Sequence, residues 1–186
     1  MTMMTTTTTT TLLDEVMPEF HFRSRHERRV DAPPGWVAEA VDVHRLGRAA
    51  SLLFRLRGVR LPPGSMRDRL TRSGFTVLAE DPGVEIVAGT NGRFWAVREQ
   101  AHMEAPADLD SFRAFDRPGR AQGAISLRIE PLEDGSTRLS TETRVRCVDD
   151  TARLRFAIYW LLIRVFSGWL RRDFLRKIAR IAEGAE

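Results

Sequence analysis

The chain contains very little cysteine and almost no lysine. Cys147 is the only cysteine among 186 residues, which excludes an intramolecular disulfide and is typical of a protein of the reducing cytoplasm. Lys177 is the only lysine, so the 29 basic residues are almost all arginine, and they are spread among 25 acidic residues along the chain. No basic stripe carries interleaved aromatic residues, and the net charge of +4 therefore does not predict nucleic-acid binding.

The sequence also lacks the short motifs of common catalytic and metal sites. It has no nucleophile elbow, no phosphate-binding loop and no metal-binding helix motif. The four histidines, His21, His26, His44 and His102, do not have metal-ligand spacing. Cys147 falls in a strand-like run, where a small buried hydrophobic residue is expected rather than a nucleophile. We therefore predict neither a metal nor a cofactor.

The N-terminus is dominated by threonine. The stretch "MTMMTTTTTTTLLDEVMPEF" has neither the positive start nor the apolar run of a signal peptide. Because low-complexity sequence of this kind buries little apolar surface, we expect disorder through about Asp14. We assign residues 1–17 to a disordered tail and residues 18–186 to a single domain, a length that suits one hydrophobic core.

Alternation of apolar and polar residues begins with "FHFRSRHERRV", which predicts a half-buried strand. One side of this strand holds Phe20, Phe22, Ser24, His26 and Val30. Helical spacing follows from Pro34, a residue that suits the first turn of a helix. Residues 46–58 and 66–74 are further helical stretches, the last of them ending at Gly74.

From Phe75 to about Asp149 the pattern indicates strands joined by turns. Turns are predicted at Asp81-Pro82-Gly83, at Asn91-Gly92 and at Asp134-Gly135. "RFWAVREQAHM" is predicted as a long strand and "SFRAFD" as a shorter one. In the last two strands, one face is formed by Ile125, Leu127 and Ile129, and another by Leu139, Thr141, Thr143, Val145 and Cys147. Consecutive strands with tight turns predict an antiparallel sheet within an α+β fold.

The C-terminal stretch is both apolar and basic. Its longest uninterrupted apolar run, "FAIYWLLI", stops at Arg164 and is shorter than the roughly 20 residues of a membrane-spanning helix. The helical face predicted to be buried contains Phe156, Trp160, Ile163, Leu170, Phe174, Ile178 and Ile181. The opposite arc is charged in the second half of the helix, but in the first half it is formed by Leu154, Ile158, Leu162, Val165 and Trp169. Three covers for this apolar arc are open: the segment "LLDEVMPEF", a second copy of the protein in a homodimer, or a membrane surface.

The order of these elements resembles the polyketide cyclase/dehydrase and lipid-transport superfamily, the START-like or SRPBCC proteins. "HERRVDAPPGWVAEAV", "GRFW", "FDRPGRAQGAISLRI" and "STRLSTETRV" resemble its opening and central segments, and "RFAIYWLLIRVFSGWLRRDFLRKIARIAE" resembles the closing helix of a bacterial branch. The resemblance covers about Phe20 to Glu183 and is interrupted by a long insert at about His44 to Gly74. It implies a helix-grip fold: a curved antiparallel sheet of about seven strands, two or three short helices after strand 1, and a long C-terminal helix on the concave face.

Strand phase supplies two candidates for acid–base chemistry. In "RFWAVREQAHM" the inward set is Trp95, Val97, Glu99, Ala101 and Met103. Glu99 is then a carboxylate on an apolar face, where burial favours the protonated form that a general acid needs. The alternative is that Glu99 pairs with an arginine of a neighbouring strand, or that the alternation of the strand is shifted so that Glu99 faces solvent. His26 is either a proton carrier or polar anchor, or a hydrogen-bonded core histidine.

The resemblance implies binding or transport of a small hydrophobic molecule, such as a lipid, a polyketide or an isoprenoid-like compound, between sheet and helix. The expected ligand-binding residues are Trp95, Val97, Glu99, Leu127, Ile129, Thr141, Thr143, Tyr159, Trp160 and Ile163. An alternative is a cyclase or dehydratase that acts on a hydrophobic substrate, with Glu99 and His26 as catalytic candidates. A third is a module that docks on a membrane surface or a partner through the first half of the last helix. Fold alone does not decide among these functions.

Overall fold

The computed structural model describes residues 10–43, 66–96 and 103–184. The predicted helix at residues 46–58 and the candidates Val97 and Glu99 lie outside these ranges. The described elements are α1 (Leu12–Val16), β1 (Phe22–Val30), α2 (Pro34–Val43), α3 (Met66–Arg72), β2 (Thr76–Asp81), β3 (Glu85–Gly92), β4 (Met103–Glu104), α4 (Leu109–Arg113), β5 (Ala121–Pro131), β6 (Thr137–Cys147) and α5 (Asp150–Ala182).

The strands form one antiparallel sheet in the order β1-β6-β5-β3-β2, with the short β4 beside β3. The α+β class is therefore confirmed, and the described residues contain six strands rather than about seven. The hairpin between β5 and β6 turns where the sequence predicts it, and Gly135 adopts the positive φ of 82° that favours glycine there. The β1 phase is as predicted from Phe22 onwards, because Phe22, His26 and Val30 face the long helix while the intervening arginines are exposed. Phe20, predicted on the same side, precedes the strand and lies against Arg144 on the other face.

Helix α5 is 33 residues long and lies across β1 and β6, with α2 beside its second half. It begins at Asp149, whose carboxylate accepts the backbone N–H of Ala152 at 2.7 Å, as an N-cap residue does. The helix is anchored to the sheet by two separate groups of side chains. The C-terminal cluster is built from Val30, Ala32, Val37, Ala40, Val41, Leu127, Ile129, Leu139, Leu175, Ile178, Ala179 and Ala182. The aromatic cluster is built from Ala121, Val145, Cys147, Ala152 and Phe156, with Phe22, Phe94, Trp95, Tyr159 and Trp160 around them.

The predicted buried face of α5 is right in its first half and shifts in its second. Phe156 and Ile178 are buried as expected, but Ile181 is 48% exposed and Leu175 takes its place in the core at 1%. An α-helix has 3.6 residues per turn, so residues spaced three or four apart do not stay on one line along a helix of nine turns. The side that faces the sheet therefore moves around the helix, and in the second half it contains Leu175 and Ala179.

The opposite face of the sheet is covered by α1, which corrects two predictions. Leu13, Val16 and Met17 are buried there, in a cluster with Leu78, Val87, Phe112 and Ala124. Order therefore begins before residue 17, and the prediction of disorder over residues 1–17 is wrong for Leu12–Val16. The segment "LLDEVMPEF" also does not cover the apolar arc of α5, because its helix packs on the other side of the sheet.

A buried ion network holds α1 in place. The guanidinium of Arg144 donates to the carboxylates of Asp14 at 2.5 Å and Glu142 at 2.7 Å and to the backbone carbonyl of Met17 at 2.9 Å. Arg23 binds Glu142 through two further hydrogen bonds, at 2.8 and 2.9 Å. Burial opposes the ionisation of Asp14, but hydrogen bonds from Thr11 and Arg144 outweigh it and lower the pKa to about 2.

Three local predictions between residues 91 and 116 are wrong. Asn91-Gly92 does not turn, because both residues pair with β5 on one side and β4 on the other. The chain turns afterwards, at residues 93–96, so the predicted long strand is interrupted there, and Trp95 sits in a turn. "SFRAFD" is not a strand but contributes to α4, because Asp108 and Ser111 form a reciprocal capping box that starts a helix.

Within the described ranges, no helix combines the length and the hydropathy that crossing a membrane requires.

Candidate ligand-binding site between sheet and helix

The two clusters that anchor α5 leave a zone between them, under the middle of the helix. We call this the central zone; its sheet residues are Ser24, His26, Ile125, Thr141 and Thr143, and its helix residues are Ile163, Ser167, Gly168 and Arg171. None of them belongs to either cluster among the described residues. Ile125 and Thr143 are only half-buried although they lie on interior strands of the sheet. The apolar packing between helix and sheet is therefore concentrated at both ends, and the middle combines polar contacts with the half-buried Ile125 and Thr143.

The floor of the central zone is set by strand register. His26 of β1 pairs with Thr141 of β6, and Thr141 pairs with Leu127 of β5. In the next row, Ser24 pairs with Thr143, which pairs with Ile125. Because directly paired residues of antiparallel strands share a face, each row runs from a polar side chain at the β1 edge to an apolar one at β5.

Helix α5 comes close to the floor at Gly168. A Cβ atom built on this glycine would lie 3.3 Å from Cε1 of His26, so a larger residue would push the helix or the imidazole away. One turn further along, Nη1 of Arg171 donates to the hydroxyl of Thr141 at 3.1 Å, and its Nε donates to the hydroxyl of Ser167 at 3.4 Å. The helix thus places an arginine head group directly over the polar row.

Arg171 has no carboxylate partner among the described residues. Burial lowers the pKa of its guanidinium to about 10, which leaves the group protonated at neutral pH. By contrast, Arg144 and Arg128 each have a carboxylate within 4 Å. Arg171 is therefore a positive charge that faces the sheet with hydroxyl groups as its neighbours.

Two threonine hydroxyls on the same side of the sheet are buried and have no hydrogen-bond partner in the part of the chain that the structure describes. They are Oγ1 of Thr143 on β6 and Oγ1 of Thr90 on β3. Thr90 pairs with Gly123 of β5, so it lies on the helix-facing side like Ile125. Buried hydroxyls in folded proteins usually have a partner, and each exception calls for an explanation.

His26 is half-buried, and its Nε2 lies 3.1 Å from the hydroxyl of Ser24. Burial, and then the charges of Arg171 and Arg172, lower the pKa of its imidazole, so it is neutral at pH 7. The two charged groups that act on His26 are thus arginines. An acid–base pair needs a carboxylate in that position. The other catalytic candidate, Glu99, lies outside the described residues.

The remaining predicted ligand residues divide between the zone and the two clusters. Thr141 and Thr143 line the central zone, and Ile163 is half-buried one turn after Tyr159. Leu127 and Ile129 belong to the C-terminal cluster. Trp95, Tyr159 and Trp160 surround Phe156 in the aromatic cluster, with ring centroids 5.6 to 6.1 Å from that of Phe156.

Sequence reasoning missed the helix side of the site. Arg171 was expected on neither face, although it lies four residues after Ser167 and four before the buried Leu175. That i, i+4 spacing places all three on one side of the helix. The signal was available, but an arginine in an arginine-rich helix is ordinarily read as a solvent-exposed residue.

The outward side of the same helix is apolar, as predicted for its first half. The outer apolar stripe consists of Leu154 at 67% exposure, Ile158 at 60%, Leu161 at 65%, Leu162 at 76%, Val165 at 70% and Trp169 at 46%. Within the described part of the chain, nothing packs over it. Its charged neighbours Arg155, Arg164 and Arg172 are all exposed.

A shallow depression of about 470 Å³ opens near the start of α5, between His21, Phe22, Asp150, Arg153, Leu154 and Ala157. It is open to solvent and contains none of the predicted ligand residues. In the described ranges, no three His, Cys, Asp or Glu side chains come together as a metal site would require. Cys147 is buried, and desolvation raises the pKa of its thiol to about 11, as expected for a core residue and not for a nucleophile.

No family model matches this chain, and no curated protein matches it. Solved structures that align with it include protein MLL2253 from Mesorhizobium loti, 14% identical over 89% of this chain and 99% of that one, with a TM-score of 0.41. Protein CV1439 from Chromobacterium violaceum is 17% identical over 90% and 99% of the two chains, with a TM-score of 0.38. Hypothetical protein jhp0584 from Helicobacter pylori is 7% identical over 91% and 92%, with a TM-score of 0.42. Likeness at this level carries no information on ligand or activity.

Proposed function

We propose that this chain has the helix-grip fold of the START-like superfamily and binds or transports a small hydrophobic molecule between the sheet and α5. The observation that carries the proposal is the central zone. Protein interiors are close-packed, and voids larger than a water molecule are few. A helix that is firmly packed at both ends, over half-buried Ile125 and Thr143 in its middle, supports a place for a guest molecule there.

Desolvation supplies the driving force in this proposal. Burial of apolar surface stabilises by about 25 cal/mol per Å², so a ligand that buries roughly 400 Å² gains about 10 kcal/mol. Association costs an estimated 4 to 15 kcal/mol, so the net affinity of such a ligand is moderate. The few polar groups of the zone then set orientation and not overall affinity.

Filling the zone tests the proposal. Native mass spectrometry of the purified chain should detect a co-purifying small molecule, and the uncharged fluorescent probe N-phenyl-1-naphthylamine should bind in the micromolar range. Ile125→Trp adds bulk to the half-buried floor and should abolish probe binding while circular dichroism stays unchanged. Ile181→Trp makes the same chemical change at an exposed position and is the matched control. Equal probe binding by both variants and the unmodified chain would contradict the proposal.

A second function is favoured by the outer apolar stripe. A monomeric soluble protein rarely exposes a contiguous apolar patch of several large side chains, and such patches mark sites of interaction. Arg155, Arg164 and Arg172 flank the stripe, which extends over four turns of α5. An amphipathic helix with an apolar face and a basic rim matches an anionic membrane surface, in which it lies parallel to the plane. We therefore also propose docking on anionic lipid.

Charge favours lipid over another copy of the chain. Two copies that pair through the stripe bring their arginine rims together, and like charges in close contact are destabilising. The segment 44–65 of the same chain is an equally poor match, because it carries arginines and no acidic residue. An anionic bilayer instead neutralises the rim, at about 1 kcal/mol for each basic residue near the surface.

Co-sedimentation with lipid vesicles tests this docking. The chain should sediment with vesicles of phosphatidylcholine and phosphatidylglycerol and remain in solution with phosphatidylcholine alone. The double variant L162E/V165E should lose sedimentation, whereas Ile181→Glu, at an exposed position outside the stripe, should not. Concentration-dependent dimerisation that the double variant abolishes, without vesicle binding, would assign the stripe to a homodimer instead.

A further inference from the structure

We propose that the hydrophobic ligand is an amphipathic carboxylic acid, whose carboxylate is bound by Arg171 with the hydroxyl of Thr143 beside it. This inference rests on the proposed ligand-binding function and adds to it the chemical class of the ligand.

Arg171 has donors to spare. A guanidinium carries five N–H groups in a planar fork. Nε donates to Ser167 and Nη1 to Thr141, and Nη2 has no hydrogen-bond partner among the described residues. The unused donors belong to a group that faces the sheet, because the Thr141 hydroxyl to which it donates lies on the floor of the central zone.

Within the described residues the charge of Arg171 is not matched by a carboxylate, in contrast to two arginines elsewhere on the sheet. Arg144 lies between Asp14 and Glu142, and Arg128 lies 3.8 Å from Glu85. A half-buried guanidinium that meets only hydroxyls has lost water without gaining a counter-charge. A ligand carboxylate supplies that counter-charge in the bidentate geometry that a guanidinium fork prefers.

Thr143 provides a second, independent indication that a polar group belongs here. Its Oγ1 is buried and has no partner among residues 10–43, 66–96 and 103–184, and it lies two residues from Thr141 on the same face of β6. A hydroxyl in that position donates one hydrogen bond to a carboxylate oxygen. His26 is neutral beside them, so it neither repels the anion nor supplies the charge.

The apolar part of the ligand has a defined direction. From Thr143, the floor row continues to the half-buried Ile125 on β5, away from the β1 edge. The row from Thr141 leads instead to Leu127, which is packed in the C-terminal cluster. The polar end of a ligand therefore lies under α5, and its hydrocarbon chain runs towards Ile125 on β5.

A pair of ligands that differ only in the head group tests this inference. Laurate and 1-dodecanol are titrated against the chain loaded with N-phenyl-1-naphthylamine, and displacement gives both dissociation constants. The unmodified chain should bind laurate more tightly than dodecanol by about tenfold, the scale of one charge-assisted contact. Arg171→Met should remove this preference and leave dodecanol binding within about twofold. Arg164→Met, an exposed arginine of the same helix, is the matched control and should keep the preference.

Further variants keep the test decisive where Arg171→Met fails to fold. Arg171→Lys retains the charge but not the fork, and Thr143→Val removes only the unpaired hydroxyl. Each variant should weaken the binding of laurate but not that of dodecanol, with unchanged thermal melting. Equal affinity for laurate and dodecanol in the unmodified chain overturns the inference while leaving hydrophobic binding intact. Failure of both ligands to displace the probe, or of the probe to bind, overturns the proposed function and the inference with it.

Discussion

Leu13→Ala is the sharpest test of how the N-terminal helix contributes to the fold. Helix α1 has only five residues, and helices that short are not stable in isolation. Its position therefore depends on tertiary contacts, which are the buried side chains of Leu13, Val16 and Met17 and the tie to Arg144. Leu13 is 1% exposed and lies against the face of the sheet opposite α5.

The expected loss in free energy of unfolding is about 2 to 4 kcal/mol. Replacing a fully buried leucine by alanine typically costs about 2 to 5 kcal/mol, through lost transfer free energy and the cavity left behind. The upper part of that range is not reached here, because the loss cannot exceed the free energy with which α1 docks on the sheet. Once that free energy is gone, the short segment detaches and the rest of the fold remains. Detachment exposes Val87 and Phe112, so the loss stays well above the effect of a surface substitution.

Urea unfolding followed by tryptophan fluorescence measures this loss. A smaller m-value in Leu13→Ala would show that α1 is already detached in the folded variant, because less surface is then exposed on unfolding. Leu154→Ala, which truncates a leucine 67% exposed, is the control and should change stability by less than about 0.5 kcal/mol. A loss for Leu13→Ala as small as that of the control would refute the docking of α1.

Two further predictions concern close packing and acid. In Gly89→Ala the new Cβ would collide with Leu78 and lie 2.8 Å from Cε2 of Phe112, so thermal melting should show a loss in stability of about 1 to 3 kcal/mol. The control is Gly35→Ala, whose new Cβ meets nothing within 4 Å and should cause no loss. Equal melting temperatures of the two variants would contradict this packing. Asp14 has a folded-state pKa of about 2, below its unfolded value, so its stabilising effect is present above about pH 4 and is lost as the pH falls towards 2. The stability difference between the unmodified chain and Asp14→Asn should shrink over that interval, and a difference independent of pH would contradict the assignment.

The elements that the sequence predicts well are those with long, regular patterns. Helix α5 spans nine turns, and β1, β5 and β6 have nine to eleven residues each, so periodicity is clear over each of them. The same patterns placed Thr141 and Thr143 on the helix-facing side. They also predict the outer apolar stripe, except for Leu161.

The failures have a common origin in contacts between distant residues. Asn91-Gly92 has a strong local turn preference, but pairing with two neighbouring strands outweighs it. Leu12–Val16 is too short for a helical period to appear, and it is ordered by the sheet beneath it. Arg144 and Arg171 resemble surface arginines in sequence, and only the fold brings one to carboxylates and the other to hydroxyls.

Strand β1 forms one border of the sheet, and its composition affects how molecules meet one another. Exposed charged side chains occupy five of its nine positions: Arg23, Arg25, Glu27, Arg28 and Arg29. A border strand with unpaired backbone groups is a template for strand addition from another molecule, and charge at that border discourages it. Arg23, Arg25 and Arg29 each lie within 4 Å of a carboxylate, so a strand added at this border would have to accommodate charged side chains that are held in ion pairs. Strand addition between copies of the chain is thereby disfavoured at this border.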